Sequence, residues 1–247
     1  MKDVFLLGYD LIGLRKYGIS VPIHVSVSSH LIVVGGSGSV KSTSVLYWLT
    51  TLPPCTELFI CDFKKSGEFA SISSHFAEFE DCEKLIRDFY QAFLTTPEGG
   101  DGKLKILLID EIAGLLSHYS MSKTGKTIAD DIRNILSSIL MLGRSRECFL
   151  WLSMQRFTAS IFPASSGAGD NFHIAVGLGR LTVDGRRALF AGETLEGEED
   201  ITFSYGEGIV LIDGKPLKGV VLPNLSKADL LERLRGRYAL PPPVDST

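Results

Sequence analysis

The sequence predicts an α/β fold with a central, mostly parallel sheet flanked by helices. Five short apolar runs, rich in Val, Ile, Leu and Phe, alternate along the chain with segments of helical periodicity. Fully apolar runs of this length are typical of parallel strands that are covered on both faces, and their alternation with helices predicts right-handed crossovers. The predicted strands are residues 30–35, 57–62, 104–110, 148–154 and 172–178.

The segments between these strands predict three helices, at 41–52, 80–94 and 130–145. The second helix has the clearest apolar stripe, formed by Leu85, Phe89 and Phe93. Two stretches rich in Gly, Ser and Thr predict loops instead. These are SHYSMSKTGKT at 117–127 and PASSGAGDN at 163–171.

The pattern changes after residue 180. Residues 201–222 alternate between apolar and polar and are punctuated by Gly, which predicts β-hairpins near the C-terminus. Residues 226–238 predict a short helix with Ser226 as its N-cap, and residues 239–247 predict a flexible tail. We therefore expect one domain over residues 1–225, followed by this helix and the tail.

Composition narrows the classes of protein to consider. The 247 residues are 45% hydrophobic, enough for a sizeable core, and the net charge of −4 is not the overall basic signature of a nucleic-acid binder. It does not exclude a local basic face. There is no apolar run long enough to span a membrane and no signal peptide is recognisable, so we expect no membrane segment. The four cysteines form no C-x-x-C pair, which suits reduced thiols in a cytoplasmic protein.

A phosphate-binding loop is predicted between the first of these strands and the first helix. VVGGSGSVKSTSV, residues 33–45, fits the pattern G-x-x-x-x-G-K-[ST], except that Val40 replaces the last Gly. In such loops backbone N–H groups bind phosphate, the Lys reaches the β- and γ-phosphates, and the Ser/Thr hydroxyl holds Mg²⁺. Taken alone, the stretch fits a flexible Gly/Ser connection equally well. The residues expected to bind nucleotide are Gly35, Gly36, Ser37, Gly38, Ser39, Val40, Lys41, Ser42 and Thr43.

A second motif favours the phosphate-binding interpretation. ILLIDE, residues 106–111, is an apolar strand that ends in two carboxylates about 70 residues after the loop. Solvated acids often follow a strand, but the combination with the loop is much less common. Asp110 is suited to hold Mg²⁺ together with Ser42, and Glu111 is suited to polarise an attacking water. The two motifs together predict a P-loop NTPase fold of the RecA-like type, with ATP and Mg²⁺ as ligands.

A third polar position follows the strand at 148–154. Gln155 comes directly after this strand and is followed by Arg156. The carboxyl ends of the strands line the ligand crevice in open α/β sheets, so Gln155 is placed to sense a γ-phosphate or orient water. On its own, an ordinary loop residue is the simpler interpretation.

The order of these blocks resembles the FtsK/HerA superfamily of hexameric DNA-pumping ATPases, and within it the FtsK/SpoIIIE-type motor domain. The similarity covers roughly residues 20–220. It rests on five stretches of this sequence, which are SSHLIVVGGSGSVKSTSV, FICDFKKSGEF, ILLIDEIAGLL, LMLGRSRECFLWLSMQRF and FHIAVGLGRLTVDGRRALF.

The resemblance implies a ring, expected to be a hexamer, with ATP at the subunit interfaces and double-stranded DNA in a central pore. It implies that Asp110 and Glu111 form the Walker B pair and that Gln155 senses the γ-phosphate. Arg186 matches the family's finger arginine, which reaches a neighbour's ATP and stabilises the transition state. Arg144 is a second candidate. A surface salt bridge is the alternative interpretation of each arginine, and it carries more weight for Arg144 than for Arg186. Lys41 and Ser42 are implied to bind phosphate and Mg²⁺.

The chain also departs from the family. We expect neither a membrane anchor nor a winged-helix module, so the chain resembles a minimal motor core of a kind often found on plasmids, phages and other mobile elements. Lys123 and Lys126 are candidates for contact with the DNA backbone, although a mobile surface loop is an equal alternative.

Val40 predicts weakened or abolished ATP binding, because a branched residue replaces a Gly. The open functional alternatives are a secretion-type ring ATPase that moves protein and a ring or binding module that does not hydrolyse ATP.

Overall fold

The computed structural model describes residues 4–163, 166–195 and 202–238, and within them ten strands form a single mixed sheet. All five predicted strands are confirmed, to within two residues at their ends. In chain order the strands are β1 (Val4–Asp10), β2 (Pro22–Ser26), β3 (Leu31–Gly35), β4 (Glu57–Asp62), β5 (His75–Glu78), β6 (Lys105–Asp110), β7 (Cys148–Met154), β8 (Ile174–Leu178), β9 (Glu207–Ile212) and β10 (Lys218–Val221).

The sheet has a parallel part and an antiparallel part. Its strand order is β2-β1-β10-β9-β8-β3-β7-β6-β4-β5. The six strands from β8 to β5 run parallel, whereas β9, β10, β1 and β2 pair antiparallel. A mostly parallel central sheet confirms the predicted fold class, and it places the carboxyl ends of six strands at one edge.

Helices cover both faces of the sheet. The helices are α1 (Leu11–Tyr17), α2 (Lys41–Thr51), α3 (Asp81–Thr95), α4 (Ile112–Ser120), α5 (Lys123–Leu142), α6 (Val183–Leu189) and α7 (Lys227–Leu234). On β3, Leu31 and Val33 belong to the same apolar core as α2 and α7, whereas Ile32 and Val34 belong to the core formed with α3, α4 and α5. This two-sided burial explains why the parallel strands are apolar at every position.

The antiparallel part of the sheet joins the two ends of the chain. The predicted hairpin near the C-terminus is present as β9 and β10, with residue 201 outside the described residues. The N-terminal strands β1 and β2 were not predicted, and β1 completes the sheet by pairing with β10. A helix is present in the predicted C-terminal segment as α7, which ends at Leu234 and so is shorter than predicted, with Ser226 accepting a hydrogen bond from the backbone N–H of Asp229. The predicted tail at 239–247 lies outside the described residues.

One predicted loop is wrong. Residues 117–127 form the end of α4 and the start of α5, with a break of two residues between the helices. Ser122 caps α5 by accepting a hydrogen bond from the backbone N–H of Gly125. The first turns of α5 bury only Gly125 and Ala129, so their polar composition indicated a loop although the segment is helical.

Two further expectations concern redox state and membranes. The four cysteines are free thiols, three of them buried, as the sequence predicted. In the described parts of the chain, the helices are too short or too polar to cross a lipid bilayer.

Candidate functional site

The phosphate loop lies at the carboxyl edge of the sheet, between β3 and α2. Gly35 must be Gly, because a Cβ at this position would lie 2.5 Å from Ser39 Oγ and 2.8 Å from the Leu178 carbonyl oxygen. The next residues form a turn in which the Ser39 N–H donates to the Gly36 carbonyl at 3.2 Å. The loop closes with Gly38 at φ 78° and Val40 at φ 62°.

Val40 adopts the left-handed backbone conformation that a glycine would adopt at this position. Its φ of 62° and ψ of 15° place a β-branched residue where L-residues are strained, at a cost of about 1–3 kcal/mol. Its carbonyl oxygen nevertheless starts α2 by accepting from the Ser44 N–H at 2.9 Å and from Ser44 Oγ at 2.7 Å. The loop therefore keeps its closing geometry despite the substitution.

The Val40 side chain borders a cleft of about 160 Å³ at the start of α2. Tyr47 and Thr43 of α2 form one wall of this cleft, and Tyr205 belongs to the opposite wall, before β9. Tyr205 is 72% exposed, which leaves an aromatic ring uncovered beside the phosphate loop. The cleft is thus a small aromatic-lined space next to the loop.

The ammonium group of Lys41 is folded back onto the loop. Lys41 is 8% exposed, and its Nζ donates to the carbonyl oxygens of Gly35 at 2.5 Å and Gly36 at 3.0 Å. Burial lowers its pKa, and the charge of Lys64 lowers the pKa further, while Glu111 and Asp110 oppose the shift. Among the described residues no carboxylate forms an ion pair with Lys41, and a buried cation of this kind is suited to receive an anionic ligand.

The two candidate Walker B carboxylates, Asp110 and Glu111, are brought to the same edge. Asp110 is 4% exposed at the end of β6, and burial raises its pKa, with Ser153 and Lys64 opposing the shift. Glu111 follows in a left-handed conformation, with φ 64° and ψ 53°, held by a 2.7 Å hydrogen bond from its N–H to the Ser153 carbonyl. Strand order and register thus place both acids at the same edge as the phosphate loop, with β7 between β6 and β3, the strand that enters the loop.

Gln155 is exposed and follows β7 directly. Strand β7 lies between β3 and β6, with Met154 paired to Val34 and Ser153 paired to Asp110. This order places Gln155 between the phosphate loop and the Walker B pair.

The two candidate arginines lie at different edges. Arg186 is half-buried on α6, which follows the carboxyl end of β8, and it borders a cleft of about 700 Å³ together with Arg180 and Arg187. Arg144 is exposed in a short 3-10 turn that precedes the amino end of β7. Its charge lowers the pKa of the buried His30, after burial itself and His173. Of the two candidates, Arg186 lies at the edge of the phosphate loop of its own chain and Arg144 lies at the opposite edge.

Three further polar residues of the site were not predicted, and they lie at the end of β4 or in the segment that follows it. Asp62 is fully buried and pairs in register with Asp110; its Oδ2 accepts from Ser66 Oγ at 2.8 Å and from the Gly67 N–H at 2.9 Å, whereas Oδ1 has no partner within the described residues. The ammonium of Lys64 lies 2.6 Å from Glu111 Oε2, in contact but without hydrogen-bond geometry.

Glu68 is the third of these residues. It forms an ion pair with Lys227 at the start of α7. Burial would raise the pKa of Glu68, but hydrogen bonds from Lys227 and from the Ser42 hydroxyl lower it overall. The signal that could have found all three is their position at or just after the carboxyl end of a predicted parallel strand, in the stretch FICDFKKSGEF.

The donor set suits magnesium. Asp110 and Ser42 offer a carboxylate and a hydroxyl, and the unpartnered Oδ1 of Asp62 lies on the neighbouring strand. Oxygen ligands of this kind, completed by water and phosphate, are those that Mg²⁺ takes in nucleotide sites. The described residues hold no cluster of three or more His, Cys, Asp or Glu that would form a metal site from protein alone.

Comparison with known proteins confirms the fold. No protein-family model matches the chain, and no curated protein matches it in sequence. Solved structures do match. The conjugation coupling protein TcpA of pCW3, with ATPγS, aligns over 94% of this chain and 70% of its own at 17% identity and a TM-score of 0.70.

Two other solved structures have different described roles. The cytoplasmic domain of the type VII secretion ATPase EccC of Thermomonospora curvata aligns over 99% of this chain and 33% of its own, at 16% identity and a TM-score of 0.68. The genome-packaging NTPase B204 of Sulfolobus turreted icosahedral virus 2 aligns over 79% and 98%, at 15% identity and a TM-score of 0.53. The chain spans about a third of the EccC domain. At these identities the likeness establishes a P-loop ATPase fold.

Proposed function

We propose that this chain is an ATP-driven double-stranded DNA translocase of the FtsK/HerA type that works as a ring, expected to be a hexamer, in the cytoplasm. The observation that carries the proposal is the convergence of Lys41, Asp110 and Glu111 at the carboxyl edge of the sheet, beside a closed phosphate loop. A DNA-transfer role for a plasmid, phage or other mobile element is supported by the likeness to a conjugation coupling protein and a genome-packaging NTPase.

The chemistry follows from the residues in place. A water molecule attacks the γ-phosphorus, the bond to the bridging oxygen breaks, and ADP and phosphate leave; Glu111 accepts the proton of the water. Lys41 binds the β- and γ-phosphates as their charge shifts, and Gln155 orients the water. Ser42 and Asp110 would hold Mg²⁺, whose charge neutralises the phosphate oxygens when it is bound.

Completion of the site by a neighbour is part of the proposal. In a ring, the nucleotide of one subunit faces a different surface of the next, and an arginine supplied in this way stabilises the transition state. Arg186 is the first candidate. Arg144 is the second, because it is exposed and makes no ion pair with the described residues, at an edge remote from its own loop.

Val40 is proposed to weaken ATP binding. The supporting observation is its left-handed backbone, since any relaxation of this strained residue in the free protein opens the loop that phosphate requires. Calorimetry with ATPγS and Mg²⁺ should show at least about tenfold tighter binding for Val40→Gly, equivalent to about 1.4 kcal/mol. Val40→Asn, which tolerates this conformation better, should lie between the two. Equal affinity in all three forms would show that Val40 does not matter.

Contact with DNA is proposed at the start of α5. Lys123 and Lys126 are both exposed on its first turn, and a sequence-independent motor needs charge rather than base-reading groups. The net charge of −4 requires that such contacts be local. The pairing of these two lysines with phosphate should appear in the salt dependence of DNA binding.

The direct test is ATP hydrolysis with and without double-stranded DNA. We expect DNA to stimulate hydrolysis at low salt, stimulation to fall as salt rises, and Glu111→Gln to abolish turnover. Replacing Lys123 and Lys126 together by Ala should lower the slope of log K against log salt by about 2, whereas the control pair Lys215→Ala and Lys218→Ala should leave it unchanged. No stimulation at low salt in the native chain or in Val40→Gly would refute DNA translocation.

The second candidate is a secretion-type ring ATPase that moves protein, favoured by the likeness to EccC and to EssC of Geobacillus thermodenitrificans, which aligns over 95% of this chain and 48% of its own at a TM-score of 0.66. ATP hydrolysis that ignores DNA would favour it. A chain that binds ATPγS but never hydrolyses ATP, even as Val40→Gly, would be the non-hydrolysing member.

A further inference from the structure

Lys64 is a charged residue of the site to which neither sequence motif assigns a role. It lies two residues beyond the end of β4, and its Nζ is 2.6 Å from Glu111 Oε2. The lysine side chain is 35% exposed, whereas the glutamate side chain is 13% exposed. The ion pair therefore joins a half-exposed, flexible cation to the carboxylate that hydrolysis requires as a base.

Lys64 also lies within electrostatic reach of the rest of the phosphate end. Its charge is the second cause, after burial, of the lowered pKa of Lys41, and it acts on Asp110 and Glu68 as well. Two ammonium groups thus lie in one small region, and each contacts an oxygen of the protein in place of a phosphate oxygen. Lys41 binds the carbonyl oxygens of the loop, and Lys64 binds Glu111.

This arrangement has a consequence for the base. The Lys64 ammonium group covers Oε2 of Glu111, so this oxygen can contact an attacking water only after the ion pair separates. The backbone of Glu111 is fixed by its hydrogen bond to the Ser153 carbonyl, so the carboxylate cannot leave the pair by moving the main chain. Lys64 has the longer and more exposed side chain of the pair, so its ammonium group is the partner better able to move away.

A terminal phosphate is the group that can move it. It carries about two negative charges in a partly buried site, and a lysine ammonium on a four-carbon stem can turn toward it. We propose that Lys64 is a switch cation that holds Glu111 before nucleotide binds and transfers to the terminal phosphate of ATP. The transfer adds a second cation to the phosphate and frees the Glu111 carboxylate to accept the proton of the attacking water.

This inference rests on the proposed function and makes a specific claim about ligand discrimination. A switch cation contacts only the terminal phosphate, so its loss affects ATPγS and leaves ADP unchanged. A residue that merely supports the loop would affect both ligands alike. The contact between Lys64 and Glu111 also lowers the affinity for ATPγS, since binding of ATPγS must break this contact.

The adjacent lysine provides a matched control. Lys65 has the same side chain, but its Nζ lies 5.0 Å from the centre of the Phe79 ring and makes no ion pair with the described residues. Lys64→Met and Lys65→Met therefore remove the same charge and keep the same stem at neighbouring positions. Only the first should alter the site.

The experiment is calorimetry of ATPγS and of ADP, each with Mg²⁺, in the native chain and in Val40→Gly. We expect Lys64→Met to weaken the binding of ATPγS about tenfold or more, as for loss of one charge-assisted hydrogen bond. The affinity of Lys64→Met for ADP should be unchanged. Lys65→Met should bind both ligands with unchanged affinity. Glu111→Gln should tighten ATPγS, and Lys64→Arg should retain most of the affinity.

The outcomes separate the two proposals. The switch is refuted if Lys64→Met and Lys65→Met bind ATPγS with the same affinity. It is also refuted if Lys64→Met weakens ADP binding as much as ATPγS binding. In both cases the ATPase proposal stands. An unchanged or weaker affinity in Glu111→Gln would also refute the stored contact. If neither the native chain nor Val40→Gly binds ATPγS, the proposed function fails and the switch fails with it.

Discussion

The two edges of the parallel sheet each hold a buried lysine, and the two lysines have different kinds of partner. Lys105, at the amino edge, is 4% exposed and lies 2.7 and 2.6 Å from the two carboxylate oxygens of Asp101. Lys41, at the carboxyl edge, is 8% exposed, and in the described parts of the chain its ammonium group donates hydrogen bonds to two backbone carbonyl oxygens and forms no ion pair. One charge is neutralised within the chain, whereas the other remains available.

Other polar groups follow the same division. Arg146, at the amino edge, donates to the carbonyl oxygens of Leu94 at 3.1 Å and Thr96 at 2.6 Å. At the carboxyl edge, Asp62 Oδ1 and Ser39 Oγ are buried without a hydrogen-bond partner in the described residues. Unsatisfied buried groups are expensive, so their concentration beside a phosphate loop indicates an edge that a ligand completes. The amino edge has exceptions, of which His30 Nε2 is the most informative.

The largest expected effect is the loss of folding stability at low pH caused by His30, a buried residue at the amino edge. His30 is fully buried, its Nδ1 accepts from the Leu150 N–H at 2.9 Å, and burial, with His173 and Arg144, lowers its pKa to about 3. The unfolded chain binds this proton near pH 6.5, so the unfolded state holds more protons between these values. Stability should fall as pH falls from 6.5 toward 3, by about 1.4 kcal/mol per unit.

Urea denaturation at several pH values measures this slope. His30→Asn keeps an acceptor for the Leu150 N–H but cannot titrate, so most of the slope should disappear; His173, whose pKa burial also lowers, supplies the remainder. An unchanged slope in His30→Asn would show that another group controls the acid sensitivity.

The next effect compares the two buried lysines directly. Lys105→Met should destabilise the fold by about 1–3 kcal/mol, because Asp101 loses its partner, although partial exposure of Asp101 limits the loss. Lys41→Met should leave stability unchanged or slightly higher, because it removes a buried cation that has no carboxylate in contact. Equal destabilisation in the two variants, measured by urea denaturation, would remove the distinction between the edges.

The smallest effect concerns backbone strain at the carboxyl edge. Val40→Gly removes a left-handed β-branched residue but adds freedom to the unfolded chain, so we expect a net gain of about 1 kcal/mol in the free energy of unfolding. The same denaturation experiment measures it. A loss of stability would show that packing of Val40 beside Tyr47 and Tyr205 outweighs the strain.

The sequence predicted the parallel half of the fold more fully than the antiparallel half. Strands buried on both faces are apolar at every position and stand out, as in β6 and β7. The N-terminal strand β1 has exposed Val4 at one end and a register shift near Gly8, and its partner β10 is more than 200 residues away. Such long-range pairing leaves no local pattern in the sequence.

The site shows the same limit on a smaller scale. Lys41, Asp110 and Glu111 are found by motif because their spacing from strand ends is fixed. Lys64 and Lys65 are adjacent and chemically identical, and only the path of the chain after β4 sends one to Glu111 and the other to the Phe79 ring. The backbone at Lys65, with φ 55°, makes this turn, and the local sequence gives no sign of it.

Hydrogen–deuterium exchange with ATPγS and Mg²⁺ tests most directly whether the carboxyl edge is the binding edge, in the native chain and in Val40→Gly. We predict slower exchange in residues 35–44 and 62–68, with little change at the amino edge, in residues 97–104 and 143–147. Protection confined to the amino edge, or no protection at saturating ligand in either protein, would contradict the account.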